Sequence, residues 1–186
     1  MRGAEEGLGE REDGVGADPE LVGGARRGQH AHRAEAATTR EAGEFVQSAA
    51  ICNVYEIESG RIALDRTRNP KVREAAQAMI DDYTDNSARL ETAVRQSPKV
   101  DTSHIPPGLD RRRETVLDHL REAPEDEFNR TYLAQQVMAH AEAASLMHMY
   151  RDEGDCLVLR SFAAEASPVI ERHLEHVKRL KTDMPR

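Results

Sequence analysis

Apolar residues recur between about residues 41 and 183 in steps of three and four, the spacing that keeps one face of an α-helix turned inward. The pattern divides into four long helices. The first is expected from about Glu41 to Arg68; Asn69-Pro70 then ends it and starts the next, with Asn69 as N-cap and Pro70 at the first helical position. The second covers about 70–97 and stops at Ser97-Pro98, and so short a connector makes the two an antiparallel pair. Residues 98–109 (PKVDTSHIPPGL) form a linker, because Pro106-Pro107-Gly108 forbids helix. A short helix is expected from about Asp110 to Glu122, stopped by Pro124. The third long helix is expected over about 125–153, with Glu125, Asp126 and Glu127 in its first turn, complementing the macrodipole. Gly154 is a C′ candidate and Asp155 an N-cap candidate, so the fourth helix, about 156–182, folds back on the third. Pro168 lies inside that helix and is expected to kink it.

Two helical hairpins thus follow one another, joined by a connection that carries its own short helix. A long helix of this size spans about 40 Å, and the connection can traverse that length. One long crossover between helices two and three is the ferritin-like arrangement. The expected fold class is therefore all-α: a ferritin-like antiparallel four-helix bundle over residues 41–183, with a long crossover carrying a short extra helix.

Each apolar stripe is interrupted near its middle. The second helix reads Val72, Ala76, Met79, Tyr83, Leu90, Val94, and the third reads Leu133, Val137, His140, Ala144, Met147. The fourth gives Leu159, Phe162, Ala166, Val169, His173, Val177, Leu180. The first helix is ambiguous. Phe45, Ala49 and Cys52 lead to Glu56, whereas Ile51, Tyr55 and Ile62 embrace Glu58. Two residues apart on a helix is about 200° of rotation, so both glutamates cannot face one core. Antiparallel helices of similar length set their midpoints at one level. Glu56 or Glu58, Tyr83, His140 and His173 should therefore meet in a single polar layer.

Two accounts fit such a layer. Carboxylate oxygens and neutral imidazole nitrogens on facing helices are ligands for a transition metal ion (Fe, Mn, Zn or Cu), with Glu56, Glu58, Tyr83, His140 and His173 as the candidate set. Alternatively, the histidines hydrogen-bond to the glutamate and tyrosine, and a satisfied network fixes the register of the helices without binding anything. The di-iron ferroxidase pattern needs Glu-x-x-His on two helices, and neither Asp81-Asp82-Tyr83-Thr84-Asp85 nor Glu171-Arg172-His173 supplies it. There is no Cys-x-x-Cys-His for haem, no glycine-rich phosphate loop and no nucleophile motif, so no catalytic residue is assigned. His148 and His119 are expected at the surface.

Composition sharpens these limits. The hydrophobic fraction is 38% and mean hydropathy is −0.72, low for a compact globule. Part of the reason lies in residues 1–40, which hold 8 of the 12 glycines and show no apolar period. Such a segment cannot offset its ordering entropy and is expected to be a disordered tail. With no Trp and 4% aromatics, the core must rest on Ala, Leu, Val, Ile and Met. A net charge of −8 argues against nucleic acid and anionic membranes as partners, leaving a second copy or another protein. No run reaches the ~20 apolar residues of a membrane span. The N-terminus has no apolar h-region of a signal peptide, which makes cytoplasmic the default expectation. Cys52 and Cys156 are expected too far apart along the helices to bridge.

The segments FVQSAAICNVYEIESGRIAL, VREAAQAMIDDYTDNSARL, FNRTYLAQQVMAHAEAASLMHMY and LRSFAAEASPVIERHLEHVKRL resemble the bacterial domain-of-unknown-function family 4142 over about residues 43–182. The resemblance implies a ferritin-like fold, and many members of that family are exported. The family pattern is matched at Glu56 and Glu58, at Asp82 and Thr84, at His140, and at Pro168, Glu171 and His173. It is broken at Tyr83, where the family pattern has His; a tyrosinate still binds iron(III). The family brings no established activity. The expectation is a non-enzymatic, stress-related helical bundle with a structural polar layer; the alternative is a metal-binding protein with a non-classical site at the bundle centre.

Overall fold

Helix boundaries in the computed structural model, which describes residues 40–184, follow the capping residues. The elements are α1 (Ala42–Arg66), α2 (Pro70–Gln96), a 3-10 turn (Thr102–His104), α3 (Arg111–Glu122), α4 (Phe128–Glu153) and α5 (Leu157–Asp183). The described part is all-α, with no strand among the described residues. The tail expected over residues 1–40 lies outside them except for Arg40. Asn69 Oδ1 accepts from the amides of Lys71 and Val72 at 3.0 and 3.3 Å, and Asp110 Oδ1 from the amide of Arg113 at 2.7 Å. Each satisfies donors that an uncapped helix start leaves orphaned.

Three local expectations are corrected. Helix α4 begins at Phe128, so Glu125, Asp126 and Glu127 precede it; Pro124 closes a turn there by accepting from the Glu127 amide at 3.0 Å. Asp155 does not cap α5. Its carboxylate is engaged by Lys99 Nζ at 2.8 Å and by the Tyr150 hydroxyl at 3.1 Å, and Cys156 takes the N-cap position with no side-chain bond. Gly154 has φ −62° and ψ 147°, not a left-handed conformation. Glycine is needed there for space, because a Cβ would lie 2.5 Å from the Tyr150 carbonyl oxygen and 2.6 Å from its ring. Pro168 lies within α5, which continues past it to Asp183.

Helices α1 and α2 pack as one hairpin and α4 and α5 as another; α2 meets α5 and α1 meets α4, closing a ring of four. Near one end, the Phe45 ring stacks on Tyr150 at 3.9 Å and meets Phe162 edge-on at 6.2 Å. Between α1 and α2 the backbone of Gly60 lies close against α2, where a Cβ would lie 2.8 Å from Ile80 Cγ1 and 3.1 Å from the Ala76 carbonyl oxygen. Cys52 and Cys156 are both free thiols, as their spacing requires. No helix among the described residues is long and apolar enough to cross a membrane.

The crossover helix α3 lies against α1 and α4 and is held by an arginine at each end. Arg66 donates to the carbonyl oxygens of Leu120, Arg121 and Ala123 at 3.1, 2.7 and 2.7 Å, where α3 leaves carbonyls without partners. Its guanidinium also sits 4.5 Å over the Phe128 ring. Arg113, buried at the start of α3, lies 4.6 Å over the Tyr55 ring and donates to Glu142 Oε2 at 2.8 Å. Replacing Arg66 with Ala should lower unfolding free energy by about 2–3 kcal/mol, the range for charged hydrogen bonds whose acceptors lose their partner. Urea titration of the two proteins measures this, and a loss below about 0.5 kcal/mol would show that α3 is held by apolar contact alone.

Candidate functional site

The ring of four helices brings one interrupting residue from each to mid-height. On α1 the choice between the two glutamates is resolved by burial. Glu56 is 2% exposed and faces the interior; Glu58 turns outward and pairs with Arg61 at 2.6 Å. Glu58 is therefore not part of the layer, because the roughly 200° between the two positions puts it on the solvent side. Tyr83 on α2 and His140 on α4 are fully buried, and His173 on α5 is buried except for an edge. The His140 ring lies 5.7 Å from both Tyr83 and His173, and Tyr83 lies 6.2 Å from His173. Four of the five expected residues meet.

Their polar atoms are unequally served. His140 Nδ1 lies 2.9 Å from the Gln136 carbonyl oxygen, one turn back on α4. A carbonyl only accepts, so Nδ1 carries the proton and Nε2 is left as a bare lone pair. His140 Nδ1 also lies 3.5 Å from Glu56 Oε1. His140 Nε2, Glu56 Oε2 and the hydroxyls of Tyr83 and Tyr132 are buried with no hydrogen-bond partner. His173 is different: its Nε2 meets Asp82 Oδ2 at 2.8 Å, on the solvent side of α2. Among the described residues, no three His, Cys, Asp or Glu side chains are gathered closely enough to hold an ion as they stand.

The sequence pattern missed the polar residues that support the layer. Gln136 Nε2 donates to Ser59 Oγ at 2.9 Å, and Ser59 Oγ donates to the Glu56 carbonyl oxygen at 3.1 Å. Asn86 Nδ2 donates to Asn53 Oδ1 at 2.9 Å. A signal was present: Asn53 and Ser59 flank Glu56 by three residues, Asn86 follows Tyr83 by three, and Gln136 precedes His140 by four. Each is the helical neighbour of a layer residue.

Burial sets the protonation of the layer. It pushes the Glu56 carboxyl up to about 8, and contacts with Gln136, Arg113 and His173 pull back only part of that. Burial also pushes His140 down to about 4, the Gln136 carbonyl opposing it, and lowers His173 despite its bond to Asp82. At neutral pH the interior therefore holds a neutral carboxyl beside neutral imidazoles. Cys52, pushed up to about 11 chiefly by burial, stays a thiol and adds no charge.

The signs lead to a pH test. A group raised on folding stabilises the protein below its unfolded value, about 4.3, and loses that contribution as pH rises through 8; the depressed histidines lose theirs as pH falls below about 6.5. Between pH 6.5 and 8 Glu56 dominates this layer. Chelator-treated protein should lose on the order of 1–2 kcal/mol across that window, and the Glu56→Gln variant should not. Denaturant titrations at several pH values measure both, and equal slopes for the two proteins would contradict the assignment.

A family model described as "Domain of unknown function (DUF4142)" matches residues 27–180. No curated protein matches the chain. Among solved structures, one described as "CopM in the Cu(II)-bound form" is similar with a TM-score of 0.64, covering 77% of this chain and 97% of that chain. Its identity to this chain is 16%, so the likeness is one of helical fold alone.

Proposed function

The chain belongs to the DUF4142 family, and from that premise and the geometry of the layer we propose a non-enzymatic, ferritin-like helical protein that holds one transition metal ion at mid-height. The observation that carries this is the trio of buried, unpartnered atoms His140 Nε2, Glu56 Oε2 and Tyr83 Oη. A layer serving register alone is stable when its groups are paired, since each unpaired one costs about 1–3 kcal/mol. The long crossover between α2 and α4 supports the ferritin-like reading of the fold.

The donor chemistry of these residues suits a cation, and as the side chains stand no three of them are gathered round one point. His140 is set up as a ligand, with Nδ1–H tied to a backbone carbonyl and Nε2 free, the second contact that fixes tautomer and ring orientation at metal sites. Glu56, neutral when alone, becomes the counter-charge when a cation stabilises its carboxylate. Tyr83 and His173 stand beside them as the further ligands. A resident ion would supply a fixed positive charge and, for copper or iron, one-electron chemistry. Cu(II) is the first ion to test, because nitrogen and oxygen sites hold it most tightly among divalent first-row ions. The structural neighbour described as Cu(II)-bound supports the same choice.

A purely structural layer is the second reading, favoured by the bonds Ser59–Gln136 and Asn53–Asn86, which tie α1 to α4 and to α2 at this level. Equilibrium dialysis of chelator-stripped, untagged protein against Cu(II) separates the two. One ion per chain is expected, with a rise in melting temperature, and both should be lost in Glu56→Gln and His140→Ala variants that stay folded by circular dichroism. Substoichiometric copper, unchanged in those variants, would leave the structural reading standing.

A further inference from the structure

The layer is closed unequally on its different sides. Toward α3 it is backed by the Arg113 guanidinium over the Tyr55 ring, with Arg112 also paired to Glu142. Both guanidinium groups are held there by the Glu142 carboxylate. Between α1 and α2 the backbones are in close contact at Gly60 and Ala76. The seam between α2 and α5 is different. Two ion pairs cross it, His173 with Asp82 and Arg89 with Glu165, and between them lies a small cavity of about 50 Å³. That volume is enough for a water or a partly hydrated ion.

The cavity is graded from outside to inside. Asp82 and Asp85 line its mouth, and both are exposed. Its inner wall includes Tyr83, 3% exposed, whose hydroxyl has no partner, and Asn86, whose amide bonds to Asn53 on α1. His173 does not line the cavity but neighbours a residue of each zone, Asp82 at the mouth and Tyr83 on the inner wall. Its Nε2 is held by Asp82, half exposed, while its ring lies within 6.2 Å of both Tyr83 and His140. Rotation of one side chain about its first two torsions is a ps–ns to µs event at a partly exposed position, so such a residue can exchange partners faster than helices separate.

We propose that the α2–α5 seam is the cation port of the layer and that His173, paired outward with Asp82, is the residue that hands a divalent cation from the Asp82–Asp85 mouth to His140 and Glu56. This rests on the metal-binding reading above. It explains why no three ligands are gathered as the side chains stand: Asp82 holds the third one outward. The carboxylates at the mouth raise the local cation concentration, an effect that acts on the association rate and is screened by salt.

Stopped-flow mixing of chelator-stripped full-length protein with Cu(II) at low and at high salt tests the port. Asp82→Ala should slow association roughly ten-fold at low salt, less at high salt, while copper still reaches one ion per chain. Val169→Trp, which fills the seam without altering charge, should slow association at both salt levels. Glu44→Gln, an equal charge change at the exposed mouth of the Arg112–Arg113 face, should leave the rate unchanged. In the metal-free protein, ¹⁵N spectra of the imidazoles should show the His173 signals moving in Asp82→Ala and those of His140 staying in place. Copper bound at one per chain with the same rate in wild type, Asp82→Ala and Val169→Trp would overturn the port while sparing the site. Slowing by Glu44→Gln equal to that of Asp82→Ala would also overturn it. No bound copper in the wild type would remove the site itself, and the port with it.

Discussion

A carboxyl and an imidazole taken out of water at the centre of four helices carry a desolvation cost on which the rest of the structure depends. An ion-sized charge loses several kcal/mol of solvation when it moves into an apolar interior, so the groups respond by neutralising. Glu56 holds its proton to about pH 8 and His140 sheds its own down to about pH 4. Neutrality lowers the cost without removing it, because lone pairs and hydroxyl protons still lack partners at His140 Nε2, Glu56 Oε2 and Tyr83 Oη. A bound cation, as proposed, would turn the neutral carboxyl into a counter-charge and give the lone pairs a partner. The metal-binding proposal follows from the desolvation constraint more than from any likeness to another protein.

Holding those atoms in place is the task of the packing on either side. The Phe45–Tyr150–Phe162 cluster fixes the ends of α1, α4 and α5 above the layer. The close approach at Gly60 sets α1 against α2 within one turn of Glu56. Arg66 and Arg113 fasten α3 across α1 and α4, covering the side of the layer opposite the α2–α5 seam. Buried polar groups are tolerated when rigid neighbours over-determine their positions, and these contacts supply that rigidity. The α2–α5 seam is bridged by the side-chain pairs His173–Asp82 and Arg89–Glu165.

Much of this was legible in the sequence, and the failures have physical reasons. Four stripes with a three-four period and an Asn69-Pro70 stop located α1 and α2 to within two residues, because capping chemistry is local. The layer was legible as well, since helices of equal length share a midpoint. Glu56 and Glu58 were indistinguishable by apolar stripe alone, but Asn53 and Ser59, three residues to either side of Glu56, mark its face as a polar one turned inward. Those residues were passed over because polar side chains count against burial in a hydrophobic pattern. Arg66 and Arg113 were invisible for another reason: their partners lie 29 to 57 positions away or on an aromatic face, and no local spacing encodes such contacts. The placement of Asp155 failed likewise, because Lys99 and Tyr150 compete for its carboxylate and neither is an adjacent residue.

The central claim is that His140 presents a bare Nε2 to the interior because the Gln136 carbonyl holds the proton on Nδ1. Long-range ¹H–¹⁵N correlation spectra of the metal-free protein, with ¹⁵N-labelled histidine, report tautomer and protonation for each ring directly. The account predicts that His140 stays a neutral Nδ1–H imidazole between pH 5 and 8, with no titration of its own in that range. An Nε2–H tautomer, or a His140 that titrates near 6.5, would mean that the lone pair is not there to receive a metal.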